Sequence, residues 1–275
     1  MIKELTDAYA LLECSQCGKL FRVDAAVGRD GKPISLKQLA DDPFSGALMK
    51  AAMENQVCDE CIAANQKKVR EQEANDALKY RISQSATLME EAGVPRNMRG
   101  ISKPPNRGMA NFLWKNQDRN ILLVGNTGVG KTTSACACLE RMRIMKDIPV
   151  KYINLSSLVM KMNAVSRFGS KETPLAFMDN LDAFSIVCID EAFEKTRQTD
   201  MTSEILYMLI DSATSGAYRF KLWLLGNLKR NAIQNMFGDY EPVMRRFEQF
   251  FLCCYLDQNG AVVNGNINEL KGYRS

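Results

Sequence analysis

Gly125-Asn126-Thr127-Gly128-Val129-Gly130-Lys131-Thr132 decides the fold, because it is a full match to the pattern GxxxxGK[ST]. The run Asn120-Ile121-Leu122-Leu123-Val124 before it is apolar and reads as a strand, and residues 131–146 after it read as a helix. Glycines at these positions let backbone N–H groups close around phosphate oxygens, and the helix N-terminus adds partial positive charge. Lys131 is placed to reach the β- and γ-phosphates and the Thr132 hydroxyl to ligate Mg²⁺, with Thr133 next on the same helix. A chance glycine-rich turn is the bland alternative, and the strand and helix on either side argue against it.

Outward from this loop the sequence alternates apolar runs with helical stretches. PVKYINL (149–155), FSIVCID (184–190), FKLWLLGN (220–227) and FFLCCYLD (250–257) read as strands. Residues 156–168, with Ser156 as N-cap, and 202–215 read as helices. Alternation of this kind predicts an α/β domain built on a parallel sheet.

Two further polar groups end strands downstream. Asp190-Glu191 closes a continuous apolar run: Asp190 is expected to hold Mg²⁺ and Glu191 to orient and polarise an attacking water. Asn227 ends a third strand, where it positions that water or senses the γ-phosphate, or else serves as a plain turn residue. Arg245 and Arg246 precede the last strand, as an arginine offered to a neighbouring subunit's site or as a solvated basic face.

Nine cysteines accompany a complete absence of histidine. The latter excludes Ser-His-Asp and Cys-His chemistry and any histidine metal ligand. Cys14/Cys17 and Cys58/Cys61 form two CxxC pairs, a pattern that predicts a four-thiolate structural zinc site. An iron–sulfur cluster or a redox pair are the competing readings. Cys136, Cys138, Cys188, Cys253 and Cys254 sit in apolar stretches, as buried thiols do.

Residues 65–92 contain no Gly or Pro and read as helix, stopped by Gly93 and Pro95; Lys103-Pro104-Pro105-Asn106 is a second break. The expected organisation is a cysteine-rich unit (1–63), a helical connector (64–105) and an ATPase domain (106–275). A net charge of +4 permits a nucleic-acid partner without requiring one. No apolar run is long enough to span a bilayer, and the start MIKELTDAYALLEC has no signal-peptide core. A cytoplasmic protein is expected.

GNTGVGKT, CIDEAF, LLGNL and VMRRF, in that order, resemble an AAA+ ATPase. Within that superfamily the chain is similar to bacterial replicative-helicase loaders and to the transposition helper ATPases of insertion sequences; a nucleotide-binding adaptor without turnover is the more distant reading, against which Glu191 and a candidate arginine count. Ala92-Gly93-Val94-Pro95-Arg96 resembles the entry motif of these proteins, and Gly272-Tyr273-Arg274-Ser275 a Tyr-Arg motif near their end. The resemblance covers roughly residues 92–275. It implies an AAA+ core without a helical lid, ATP as substrate with Mg²⁺, assembly into a homo-oligomer on ATP binding, and a replicative helicase and single-stranded DNA as partners. It further implies that Lys131, Thr132, Asp190, Glu191 and Asn227 are the site residues. Arg246 would be the arginine finger with Arg245 its rival, and Arg274 a second sensor. Lys161, Arg167 and Lys171 follow the second strand, where relatives contact DNA, although a solvated helix face has the same composition. Some loaders carry an N-terminal zinc module that contacts the helicase, which implies the same for residues 1–63; a ribbon binding DNA directly is the competing view. The sequence departs from the family after the acidic pair, where AFEKTRQTDM replaces a shorter connection.

Overall fold

The strand Asn120–Val124 (β4) is buried along its whole length because both faces of the sheet it centres are covered. Its side chains divide by parity, as a pleated strand requires. Leu122 and Val124 join one apolar layer with Val187, Ile189, Leu222 and Leu224; Ile121 and Leu123 join the opposite layer with Ile186, Cys188, Trp223 and Leu225. The computed structural model describes residues 2–7, 9–25, 34–42, 46–47, 52–53, 56–160, 174–193, 200–227, 240–256 and 262–265. These fall into two compact units, Met1–Ala77 and Leu78–Ser275.

In the second unit the sheet also contains β5 (Val150–Asn154), β6 (Ile186–Asp190), β7 (Lys221–Gly226), β8 (Phe251–Leu256) and β9 (Val262–Gly265), in the order β5-β6-β7-β4-β8-β9. Five strands run parallel. β9, which sequence reading left unassigned, pairs antiparallel with β8, so the sheet is mostly rather than wholly parallel. Helices α3 (Ser85–Glu91), α4 (Arg107–Lys115) and α5 (Lys131–Lys146) cover one face through Met89, Phe112, Leu113, Ala135, Leu139 and Met142. Helices α6 (Pro174–Leu181), α7 (Asp200–Ser215) and α8 (Tyr240–Phe250) cover the other through Met178, Leu206, Leu209, Ile210 and Phe247. The expected strands and the helix 131–146 are all present, with ends within a residue or two; the helix expected over 202–215 begins at Asp200.

Two expectations are corrected. The cap of the helical segment starting at 155 is Asn154, whose Oδ1 accepts from the Ser157 N–H at 3.2 Å, not Ser156. The end of β5 and the start of the helix are thus one residue apart, and the strand's last side chain does the capping. The continuous helix expected over 65–92 is two helices, α2 (Asp59–Ser83) and α3, parted at Gln84. Lys161, Arg167, Lys171, the connection 194–199 and Arg274 lie outside the described residues.

β5 forms one edge of the sheet, and an entry segment dresses it. The Tyr152 N–H donates to the Ala92 carbonyl at 2.7 Å, and Lys151 Nζ donates to the Glu91 carbonyl at 2.9 Å. Gly93 turns beside them at φ +84°, with the Tyr152 carbonyl 2.5 Å from where a Cβ would stand. Only glycine fits both the backbone angle and the space. An edge with an N–H satisfied in this way and a segment laid against it offers less to a stray strand.

The first unit contains a three-stranded antiparallel sheet, β1 (Ile2–Leu5), β2 (Tyr9–Glu13) and β3 (Leu20–Asp24), with the short helix α1 (Leu36–Asp41). Its small core is Ala10, Leu12, Leu36 and Met53.

Candidate nucleotide site and cysteine cluster

Register explains why the predicted residues converge. Val124 stands opposite Gly226, Ile189 opposite Leu224 and Asn154 opposite Asp190, so β4, β5, β6 and β7 end level with one another. Their carboxyl ends form the crevice where parallel α/β sheets bind ligands.

Gly125–Thr132 leaves β4 into this crevice. Gly128 and Gly130 adopt φ +84° and +89°, and Gly130 starts α5. A Cβ on Gly130 would lie 2.9 Å from Pro105 Cγ, so the break at 104–106 is the wall that requires glycine there. Lys131 is buried, and its Nζ donates to the carbonyls of Gly125 (2.7 Å) and Asn126 (2.8 Å) and to Asn227 Oδ1 (2.8 Å). Asn227 Nδ2 in turn donates to Thr127 Oγ1 at 3.0 Å. Asn227 therefore bridges the lysine and the loop. Val129 packs toward Gly125, and Thr133 Oγ1 contacts Met98 Sδ at 3.7 Å.

The acidic pair sits beside the loop. Asp190 is buried; its Oδ2 accepts from Thr132 Oγ1 and from the Tyr152 hydroxyl, both at 2.7 Å, and its Oδ1 accepts from the Glu191 N–H at 2.9 Å. Burial, and then the neighbouring Asp190 charge, pushes the Tyr152 phenol well above its usual range, so it remains a donor. Glu191 takes φ +57°, an unusual angle for a non-glycine residue and one found at functional sites. Its Oε2 accepts from Asn154 Nδ2 at 2.8 Å. Asn154 thus ties Glu191 to the helical segment that it caps. Sequence reading missed Tyr152 and Asn154; the signal was their i, i+2 spacing at the end of a strand beside the acidic one.

Paired hydroxyl and carboxylate oxygens of Thr132 and Asp190 are the hard donors Mg²⁺ prefers, and a cation between them would be held by one or two protein ligands plus phosphate oxygens.

Arg246 lies on α8, where its Nη2 forms an ion pair with Asp211 Oδ1 and its Nη1 donates to the Tyr207 hydroxyl at 3.4 Å, both on α7. Arg245, exposed, pairs with Glu241 one turn earlier at 3.5 Å.

In the first unit the turn after β2 carries Cys14 and Cys17. The Cys14 N–H donates to the Lys19 carbonyl and the Gly18 N–H to the Cys14 carbonyl, with Gly18 at φ +72°. Cys58 immediately precedes α2, and Cys61 lies in its first turn. All four Sγ atoms lie within 4.8 Å of one another, Cys17 and Cys58 at 3.7 Å. Tetrahedral zinc at ~2.3 Å from each sulfur separates its ligands by about 3.8 Å, so the cluster suits that ion. The Cys58 N–H, reaching Cys14 Sγ at 3.5 Å, draws the Cys14 thiol down to about 6, whereas hydrogen bonding with Cys17 and then burial push Cys61 up to about 12. The five remaining cysteines are buried.

A mostly parallel sheet with this loop at its centre, an acidic strand end beside it and Asn227 between them defines an α/β P-loop protein with an AAA+ core. The profile of the IstB-like ATP binding protein family matches residues 56–215, more than half of the sequence. The chain belongs to that family. No curated protein sequence matches this one. Among solved structures it is similar to the DnaC helicase loader, with 16% identity over 54% of this chain and 86% of that one and a TM-score of 0.44. It is similar to DnaI (10% identity, 58% of this chain and 93% of that one, TM-score 0.43). It is also similar to AMPPCP-bound DnaA from Aquifex aeolicus (16% identity, 58% and 49%, TM-score 0.42). No described helix is long and apolar enough to cross a membrane.

Proposed function

We propose that this protein hydrolyses ATP in a Mg²⁺-dependent cycle and uses it to load a replicative helicase onto single-stranded DNA. The observation that carries the reading is the convergence of Lys131, Thr132, Asp190, Glu191 and Asn227 at one end of the sheet, bonded to one another. Backbone N–H groups of residues 126–132 and the Lys131 ammonium bind the phosphates. Thr132 and Asp190 hold Mg²⁺, which when bound neutralises charge on the β- and γ-phosphate oxygens. Glu191 positions and polarises the attacking water, Asn154 restrains it, and Asn227 reads the γ-phosphate through its bridge to Lys131. Arg246 acts on the nucleotide of a neighbouring copy in an ATP-dependent oligomer, which leaves an isolated chain a poor ATPase.

The cysteine unit, holding zinc on Cys14, Cys17, Cys58 and Cys61, is the partner module; its position ahead of the ATPase core favours the loader reading. A second reading, a helper ATPase serving a transposase, draws on the same family membership. Capture from the native host with Glu191→Gln, ATP and Mg²⁺ separates them. Recovery of a replicative helicase supports the loader; recovery of a transposase without helicase rejects it and leaves the ATPase chemistry in place.

A further inference from the structure

Asp190 is a buried carboxylate held by three donors, and two of them belong to the machinery already described: the Thr132 hydroxyl and the N–H of Glu191. The third, the Tyr152 hydroxyl, comes from a different strand and has no part in the phosphate loop. Tyr152 is itself buried, with its ring in the apolar layer between β5 and α5. Its backbone is fixed independently, through the Ala92 carbonyl and the close approach of Gly93. Both atoms of the Tyr152–Asp190 bond are therefore held by rigid surroundings, and the 2.7 Å contact aims one carboxylate oxygen at Thr132.

We propose that Tyr152 is a positioning residue for the Mg²⁺ site, its hydroxyl fixing the Asp190 carboxylate in the orientation that lets Asp190 and Thr132 act on one cation. The inference rests on the reading of Thr132 and Asp190 as the Mg²⁺-holding pair. A carboxylate near a metal is itself hydrogen-bonded in most sites, and loss of such an outer partner weakens metal binding about 10–100-fold. Tyr152 differs from Asn154, two residues on, in its target: Asn154 bonds the water-directing Glu191, and Tyr152 the metal-directing Asp190. Their shared face of β5 gives each member of the acidic pair its own restraint. In the apolar setting of Tyr152 a phenylalanine keeps the ring packing and removes only the hydroxyl.

The test compares wild type, Tyr152→Phe and Tyr218→Phe by direct binding of a fluorescent ATP analogue during a MgCl₂ titration, alongside thermal unfolding. Tyr218 donates to Asp179 at 3.1 Å on the surface, so its substitution removes a bond of the same kind far along the chain from the loop. The expected result is a Mg²⁺ midpoint raised about tenfold or more in Tyr152→Phe alone. Binding in EDTA should match wild type. An unchanged midpoint overturns the proposal. So does an equal loss of binding with and without Mg²⁺, accompanied by a lowered melting temperature, which is the signature of a merely structural role. A wild type whose binding ignores Mg²⁺ overturns the underlying reading as well, and is recognised because the unmodified chain is flat. Should Tyr152→Phe not fold, 3-fluorotyrosine at position 152 keeps the hydroxyl and reports directly. Its ¹⁹F resonance should move when MgCl₂ is added to the analogue complex, and a resonance that stays fixed refutes the coupling.

Discussion

Gly93→Ala isolates the contact that fixes the edge of the sheet next to the nucleotide site. Two costs add. Holding alanine at φ +84° costs about 1–2 kcal/mol relative to glycine. The new Cβ would also stand 2.5 Å from the Tyr152 carbonyl oxygen. Relief requires the segment to move off β5, which breaks the Tyr152 N–H bond to Ala92, worth about 1 kcal/mol. Gly216→Ala is the control, since Gly216 has φ +78° and nothing within 4 Å of its Cβ position, so only the first cost applies. The expected loss is about 2–3 kcal/mol for Gly93→Ala and about 1–2 kcal/mol for Gly216→Ala, near 4–12 °C and about 2–8 °C in melting temperature for a unit of this size. The two tryptophans, Trp114 and Trp223, both belong to the second unit, so tryptophan fluorescence follows its unfolding without interference from the cysteine unit. Denaturant titrations of both variants give the difference directly. If Gly93→Ala is no less stable than Gly216→Ala, the contact with Tyr152 does not hold the strand and the reasoning is wrong.

Glu191→Gln should bind ATP as wild type does and lose at least 100-fold in turnover, because the amide still accepts from Asn154 but cannot polarise water; turnover within tenfold of wild type removes Glu191 from that role. Lys131→Ala and Arg246→Ala should each be inactive alone and recover activity when mixed, since each supplies what the other lacks across a subunit boundary; a mixture no better than the sum of its parts excludes Arg246 as the finger and turns attention to Arg245. The purified chain should carry about one zinc, lost in Cys58→Ser, and its chelation should leave the tryptophan-reported melting of the second unit unchanged; a metal-free wild type would reject the zinc assignment.

Much of the second unit was legible because its signals are local. A strand buried on both faces must be apolar throughout, so Ile186–Asp190 stood out, as did the glycine pattern that admits phosphate. β9 escaped because four residues of an antiparallel edge strand carry no periodicity of their own, and their pairing partner β8 supplies the context. α4 escaped for a similar reason: it is short, and its start depends on Asn106, whose Oδ1 accepts from the Met109 N–H at 2.9 Å. In the cysteine unit the metal-ligand spacing was plain while the strands were not, since a unit with so small an apolar core shows little hydrophobic pattern.

The sequence by itself determined the phosphate loop, the acidic pair, the two CxxC pairs and the alternation of strands and helices from residue 120 onward, each written in residues close along the chain. It could not determine which side chains meet. Sheet order β5-β6-β7-β4 sets Asn154 level with Asp190 and Gly226 level with Val124, and that register alone brings Tyr152 to Asp190, Asn154 to Glu191 and Asn227 to Lys131. These bonds join residues 37 to 96 positions apart. Hydrogen bonds act over about 3 Å, so their partners are chosen by the packing of strands and not by any pattern along the chain.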